Sequence, residues 1–132
     1  MKNRVSRVAA LAASLVVFAS SSHAQDIATG ERVFIKCRVC HQVGEGATNT
    51  IAPHLNGVMG RVSGTLPDYG NFSTPMKEKA LTWDEETLSE YLRNPRMMIP
   101  RNNMMFPGLK KDTDIAAVIA YLKQFGPDGK KQ

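Results

Sequence analysis

The chain has 132 residues, 17 Lys and Arg against 12 Asp and Glu, and a formal charge of +5, with two cysteines and seven methionines. That length allows one domain. The basic excess is scattered, which excludes the concentrated stripe of a nucleic-acid binder.

Residues 1–24 read as a secretory leader. Lys2, Arg4 and Arg7 form a basic start, Val8 to Phe18 is an apolar stretch broken only by Ser14, and Ser22 and Ala24 put small residues where a signal peptidase reads them. A membrane anchor needs an uninterrupted apolar run of about 20 residues, and Ser20-Ser21-Ser22-His23 ends this one early. Cleavage after Ala24 removes three of the 17 basic residues and none of the 12 acidic ones, leaving +2 on a single domain over 25–132. A chain that short builds a modest core.

The first helix is expected to follow Asp26 as N-cap, with Ile27, Gly30, Phe34 and Cys37 on one face. At its end stands Cys37-Arg38-Val39-Cys40-His41. This is C-x-x-C-H, the attachment signature of a c-type haem. Each thiol can form a thioether with a haem vinyl group, and the histidine that follows is held beneath the iron as an axial ligand. Gly44 and Gly46 stop the helix, and an irregular segment runs to about Leu66. Thr74 as cap with Pro75 in the first turn predicts a short helix.

The next helix is expected from Thr82 to about Asn94. Thr82 and Glu85 form a capping-box pattern, Asp84, Glu85 and Glu86 suit the positive end of the helix dipole, and Leu88, Tyr91 and Leu92 make the apolar stripe. Pro95 ends it. The last helix runs from about Thr113 to Phe125, capped by Asp112 or Thr113, with Ile115, Val118, Ile119, Tyr121 and Leu122 toward the core. Gly126-Pro127 stops it, and 128–132 reads as a frayed polar tail. No strand alternates for a useful length. The fold class is therefore all-α, with three main helices plus short ones. Its long loops are uncommon unless something is bound in them, and a porphyrin would staple a core this small.

His41 should face iron through Nε2, which leaves Nδ1 in need of an acceptor; the Pro53 carbonyl is a candidate. The sixth ligand lies among His54, Met59, Met76, Met97, Met98, Met104 and Met105. Most methionines are core filler. Met104 and Met105 differ in lying in an extended stretch between Pro100 and Pro107-Gly108, a strap able to cross a haem face; spacing does not choose between them. His54 reads as a solvent-facing loop residue.

These pieces, in this order, resemble class I cytochrome c, most of all bacterial cytochrome c2 and mitochondrial-type cytochrome c. The resemblance rests on Gly30-Glu31-Arg32-Val33-Phe34, Cys37 to His41, Pro53 to Arg61, Leu81-Thr82-Trp83, Tyr91 to Pro95, Ile99-Pro100 to Met104 with Phe106 and Gly108, and Val118 to Lys123. It implies the cytochrome c fold wrapped around one covalent haem c per chain, with thioethers at Cys37 and Cys40 and axial ligands His41 and Met104. It also implies that the Pro53 carbonyl supports His41, that Trp83 hydrogen-bonds a propionate with Arg61 near the propionates, that Tyr91 lies near the axial sulfur, and that Gly30 and Phe34 meet Val118 and Tyr121. The chain departs from the family in placing Phe72, with Tyr69 nearby, where a propionate-bonding tyrosine usually stands. Ala52 replaces the glycine before the proline, Arg101 a glycine and Asn103 a lysine.

The implied function is that of a monohaem electron carrier, not an enzyme. It would pass one electron between membrane or periplasmic redox proteins, for example from a quinol-oxidising bc1-type complex to an oxidase, reductase or reaction centre. Lys36, Arg96, Lys110 and Lys111 are expected to steer docking at the haem edge. The expected location is the periplasm of a Gram-negative bacterium, as a monomer without nucleic-acid partners or stable membrane insertion after cleavage. Two other classes compete. One is a peroxidase or ligand-sensing haem protein with a displaceable sixth ligand; the other is a thiol–disulfide oxidoreductase using Cys37 and Cys40, for which the βαβ context is missing.

Overall fold

The computed structural model describes residues 21–132; the leader expected over 1–24 lies outside the described residues except for 21–24. Among the described residues five helices follow one another: α1 (Ser21–Phe34), α2 (Thr74–Lys79), α3 (Glu85–Arg93), α4 (Pro95–Met98) and α5 (Asp112–Lys123). Among the described residues the only extended pairings are isolated bridges, Val62 with Thr82 and Phe125 with Lys131. No described helix is long and apolar enough to cross a membrane.

The frame is the crossing of α1 and α5. Gly30 makes it, because a Cβ there would run into the Ala117 carbonyl and stand 2.7 Å from the Tyr121 Cβ. The absent side chain lets the two backbones approach, and an aromatic row then fills the seam, with Phe34 and Tyr121 rings 5.4 Å apart and Tyr121 and Phe125 rings 5.2 Å apart. Ile115, Val118, Ile119 and Leu122 of α5 join Val33 and Phe34 of α1 in the core, with Leu88 and Tyr91 of α3 beside them. The exposed pairs Arg93–Asp112 and Lys123–Glu85 tie α3 to α5, and such surface pairs contribute little.

Four expectations about helix ends are corrected. Asp26 is not an N-cap: α1 already runs from Ser21, since Ala24 and Gln25 ahead of it are good helix formers. The cap of α3 is Asp84, whose carboxylate accepts the Thr87 N–H at 2.8 Å. Thr82 is instead drawn into the bridge with Val62, and the neighbouring bonds Trp83 N–H to Arg61 O (2.9 Å) and Gly60 N–H to Trp83 O (2.8 Å) pin Trp83 in place. In α2 the cap is Ser73 rather than Thr74. The cap position of α5 is Lys111, without a side-chain bond, so Asp112 and Thr113 lie inside the helix. Pro95 ends α3 as expected, and it also opens α4, where its missing N–H costs nothing and Asn94 caps Met97.

The tail is not frayed. It folds back, with Gly126 N–H donating to Lys130 O at 3.0 Å, Gln132 N–H to Gln124 O at 2.8 Å, and the Lys131 ammonium 5.8 Å from the Phe125 ring centroid. Gly129 is the cause. Its φ of +78° makes the turn, and a Cβ there would collide with the Gly44 carbonyl and stand 2.6 Å from the Asn56 amide nitrogen. Polar composition concealed a Gly-Pro-Asp-Gly turn docked onto the segment behind His41.

Candidate functional site

The loops enclose a cavity of about 430 Å³, within the roughly 300–1,000 Å³ usual for ligand sites. Cys37, Cys40 and His41, from the turns after α1, line it together with Met104 from the strap between α4 and α5. Trp83, Leu88, Tyr91, Val118 and Leu122 contribute an apolar interior.

His41 is set by its backbone and by Pro53. Its N–H donates to Cys37 O at 2.9 Å, continuing the turn that carries the cysteines. Its Nδ1 lies 2.6 Å from the Pro53 carbonyl. A carbonyl only accepts, so Nδ1 carries the proton and Nε2 keeps its lone pair. Burial lowers the proton affinity of the ring; the Pro53 bond opposes this and the Arg61 charge adds to it. The net effect keeps the imidazole neutral, the form that ligates a metal.

The Pro53 carbonyl is itself held. Leu55 N–H donates to Gln42 O at 2.9 Å, and Asn56 closes a two-bond clip on Gly44, accepting its N–H at 2.7 Å and donating to its carbonyl at 2.9 Å. Arg61 lines the cavity and donates to the carbonyls of His54 (3.2 Å) and Asn56 (2.6 Å), so its guanidinium braces the Pro53 segment. His54 is half-buried rather than solvent-facing, with its N–H on Asn49 Oδ1 at 2.9 Å.

No disulfide joins Cys37 and Cys40, which both line the cavity. Burial, opposed by Lys36 and reinforced by Cys40, pushes the Cys37 thiol up to about 11. A dithiol exchanging disulfides at neutral pH needs the opposite shift, so the environment of Cys37 disfavours the thiol–disulfide reading.

The two methionines that spacing left equal are separated by geometry. Met104 is half-buried, and Tyr91 Oη donates toward its sulfur at 3.9 Å. Met105 is 89% exposed. Trp83 is buried with its ring 5.0 Å from that of Tyr91. Tyr69 and Phe72 both line the cavity, in edge contact at 4.8 Å, and the Tyr69 hydroxyl is committed to the Ile51 carbonyl at 2.9 Å. Of the four expected docking residues, Lys36 lines the cavity; Arg96, Lys110 and Lys111 are exposed and do not.

Three asparagines were given no role in the sequence reading: Asn49, which bridges His54 N–H to the Asp68 carbonyl, Asn56, and Asn102, which bonds the Met104 N–H at 2.8 Å. Asparagine side chains compete readily for loop backbone groups, so their place in loops was the available signal.

Two thiols, an imidazole lone pair and a thioether thus converge on one apolar cavity, the donor set that a covalently attached haem requires. The cytochrome c family model matches residues 27–126. Cytochrome c-554 of Methylosinus trichosporium is 48% identical over 125 residues, covering 95% of this chain and 94% of that protein. Cytochrome c2 of Afifella marina is 49% identical over 106 residues, covering 78% of this chain and 85% of its own. The solved structure of cytochrome cH from Methylobacterium extorquens superposes with a TM-score of 0.70 at 36% identity, over 75% of this chain and 98% of that one.

Proposed function

This chain belongs to the cytochrome c family, and from that premise we propose that it is a periplasmic shuttle between membrane or periplasmic redox complexes, with His41 and Met104 as axial ligands and Cys37 and Cys40 as the covalent attachments. It is a monohaem electron carrier with a covalently attached haem c and redox-protein partners, not an enzyme. The bound haem supplies a one-electron Fe(II)/Fe(III) couple.

The chain's own residues do the rest. Pro53 fixes the His41 ring and strengthens its donation. Tyr91 orients the Met104 sulfur, and a Met/His pair raises the reduction potential relative to His/His, by about 59 mV for each tenfold preference for the reduced state. Leu88, Val118 and Leu122 exclude water from the interior. At the mouth, Ile51 and Met105 are 72% and 89% exposed and line the same cavity as Lys36, an apolar contact with a positive edge that suits brief docking of an acidic partner. The leader carries the export reading, and the mature amino terminus is expected at Gln25.

The observation that carries this function is the closure of both donors: His41 held by Pro53 and Met104 held by Tyr91, lining one cavity. Carbon monoxide added to the reduced holoprotein tests it. A carrier binds it slowly and weakly, whereas rapid, tight binding would show an open sixth position and favour the peroxidase or sensor class. Fractionation tests export: holoprotein retained in the cytoplasm with residues 1–24 intact would refute the periplasmic assignment.

A further inference from the structure

The strap that carries Met104 is anchored at its ends by burial. Ile99 is fully buried, and Leu109 is buried with its N–H on Leu92 O at 2.8 Å. Between them the chain bows outward through Arg101, whose φ of +63° lies in the left-handed region that residues with a Cβ rarely adopt. Among the described residues no backbone carbonyl accepts a backbone N–H from Asn103 to Gly108. Side chains hold this segment instead. Asn102 Nδ2 donates to Pro95 O at 3.0 Å and to Ile99 O at 2.7 Å, both in or just after α4, while its Oδ1 accepts the Met104 N–H at 2.8 Å. One amide thus joins the end of a rigid helical turn to the backbone of the proposed ligand. Asn103 Nδ2 adds a bond to Asn71 O at 3.0 Å, in the segment ahead of α2.

We propose that Asn102 is a positioning residue that sets the reach of the Met104 thioether and the rate at which the sixth position opens. This rests on Met104 being the axial ligand. Tyr91 bonds the sulfur weakly, and the long methionine side chain is flexible, so the backbone from which it springs must be fixed. Asn102 supplies that fixity without touching the cavity. The motif reading spans Asn102 but gave it no role, because it bonds only backbone groups.

The test uses holoprotein variants. Met104→Leu and Met105→Leu come first: loss of the iron–sulfur charge-transfer band in Met104→Leu alone is expected, and a band surviving in Met104→Leu refutes the ligand assignment and the proposal with it. Asn102→Ala is then compared with Asn94→Ala, which removes the cap of α4 and no bond to the strap. Carbon monoxide binding to the reduced protein, well below the unfolding temperature, is expected to quicken about tenfold in Asn102→Ala, each ~1.4 kcal/mol of lost restraint giving a factor of ten. Its charge-transfer band should also fade at a lower temperature than its far-UV circular dichroism. Asn94→Ala should lower thermal stability with no change in rate. Equal rates in Asn102→Ala and the parent, or equal acceleration in both variants, would overturn the proposal. Should Asn102→Ala yield no holoprotein, Asn102→Ser keeps an oxygen near the Met104 N–H and is expected to bind carbon monoxide faster than the parent; the parent's rate there overturns it equally.

Discussion

Gly30→Ala tests the close approach of α1 and α5 on which the frame depends. Two effects oppose each other. Alanine in a helix interior is favoured over glycine by about 1 kcal/mol, so a Gly30 that merely occupied a helix would be improved. Against this, the new Cβ would strike the Ala117 carbonyl and stand 2.7 Å from both the Ala117 carbonyl carbon and the Tyr121 Cβ. Two of those three atoms are backbone and cannot rotate away. The third belongs to a buried tyrosine in contact with Phe34 and Phe125. The helices must therefore separate, and overpacking of this kind costs about 1–3 kcal/mol. Backbone and an aromatic row moving together puts the cost near the upper end, so the net loss is about 2 kcal/mol. For a domain near 100 residues, where 1 kcal/mol moves Tm by about 4–8 °C, Tm should fall by roughly 10 °C. Thermal unfolding of the holoprotein by circular dichroism reads it, with Gly70→Ala as control. A Cβ at Gly70 meets nothing within 4 Å, and that variant should gain up to about 1 kcal/mol from a stiffer unfolded chain. A Gly30→Ala protein as stable as its parent would refute the close-packing account of the crossing.

Gly129→Ala should also destabilise, by about 1–2 kcal/mol from the left-handed conformation alone and further from the collision with Gly44; an unchanged Tm would restore the frayed tail. Asp84→Ala should lower Tm at neutral pH. The N–H and then the side chain of Thr87 hold the Asp84 carboxyl below its ordinary 3.8, so its contribution is complete above that value and vanishes as pH falls through the depressed one; a gap to the parent that widens rather than narrows as pH falls below 3.8 would contradict this. Lys36→Glu should slow electron transfer to an acidic partner several-fold and flatten its salt dependence, with smaller effects for charge reversal at Arg96, Lys110 and Lys111, which lie away from the cavity lining. Equal rates in stopped-flow oxidation across all four would remove them from the docking surface.

What could be read from the sequence was what is local or what repeats with helical period. The Cys37–His41 motif, the stripe of α5 and the stop at Pro95 each depend on residues within a few positions, and the positions of the main helices followed from them. Helix ends were less legible, because caps compete with tertiary pairing: Thr82 has a good cap sequence but is taken by Val62, and Asp84 replaces it. The tail was misread because polarity was taken for disorder, although what docks it is the shape of Gly129 against Gly44 rather than any apolar side chain. The asparagine clips at 49, 56 and 102 carried only the weak signal of asparagines placed in loops. Each bonds main-chain groups, which every residue offers, so no partner type marks them.

The two proposed ligands are held by unlike means, and that asymmetry follows from where they lie in the chain. His41 is 12 residues from the carbonyl that orients it, and the intervening loop is cross-tied by Gln42–Leu55, Gly44–Asn56 and Asn49–His54 bonds and braced by Arg61. Displacing His41 means breaking several of these together. Met104 enters from a strap that, among the described residues, lacks backbone pairing over 103–108 and hangs on the side chains of Asn102 and Asn103. Local opening follows the weakest set of bonds. With His41 and Met104 as the axial ligands, the methionine side would therefore be the side that yields: the cysteine attachments would keep the haem in place, and the Met104 sulfur would be the contact a partner or a variant can loosen. A carrier gains from this arrangement. The strap that presents Met105 at the mouth lies where a docking partner would press on it, away from the cross-tied histidine side.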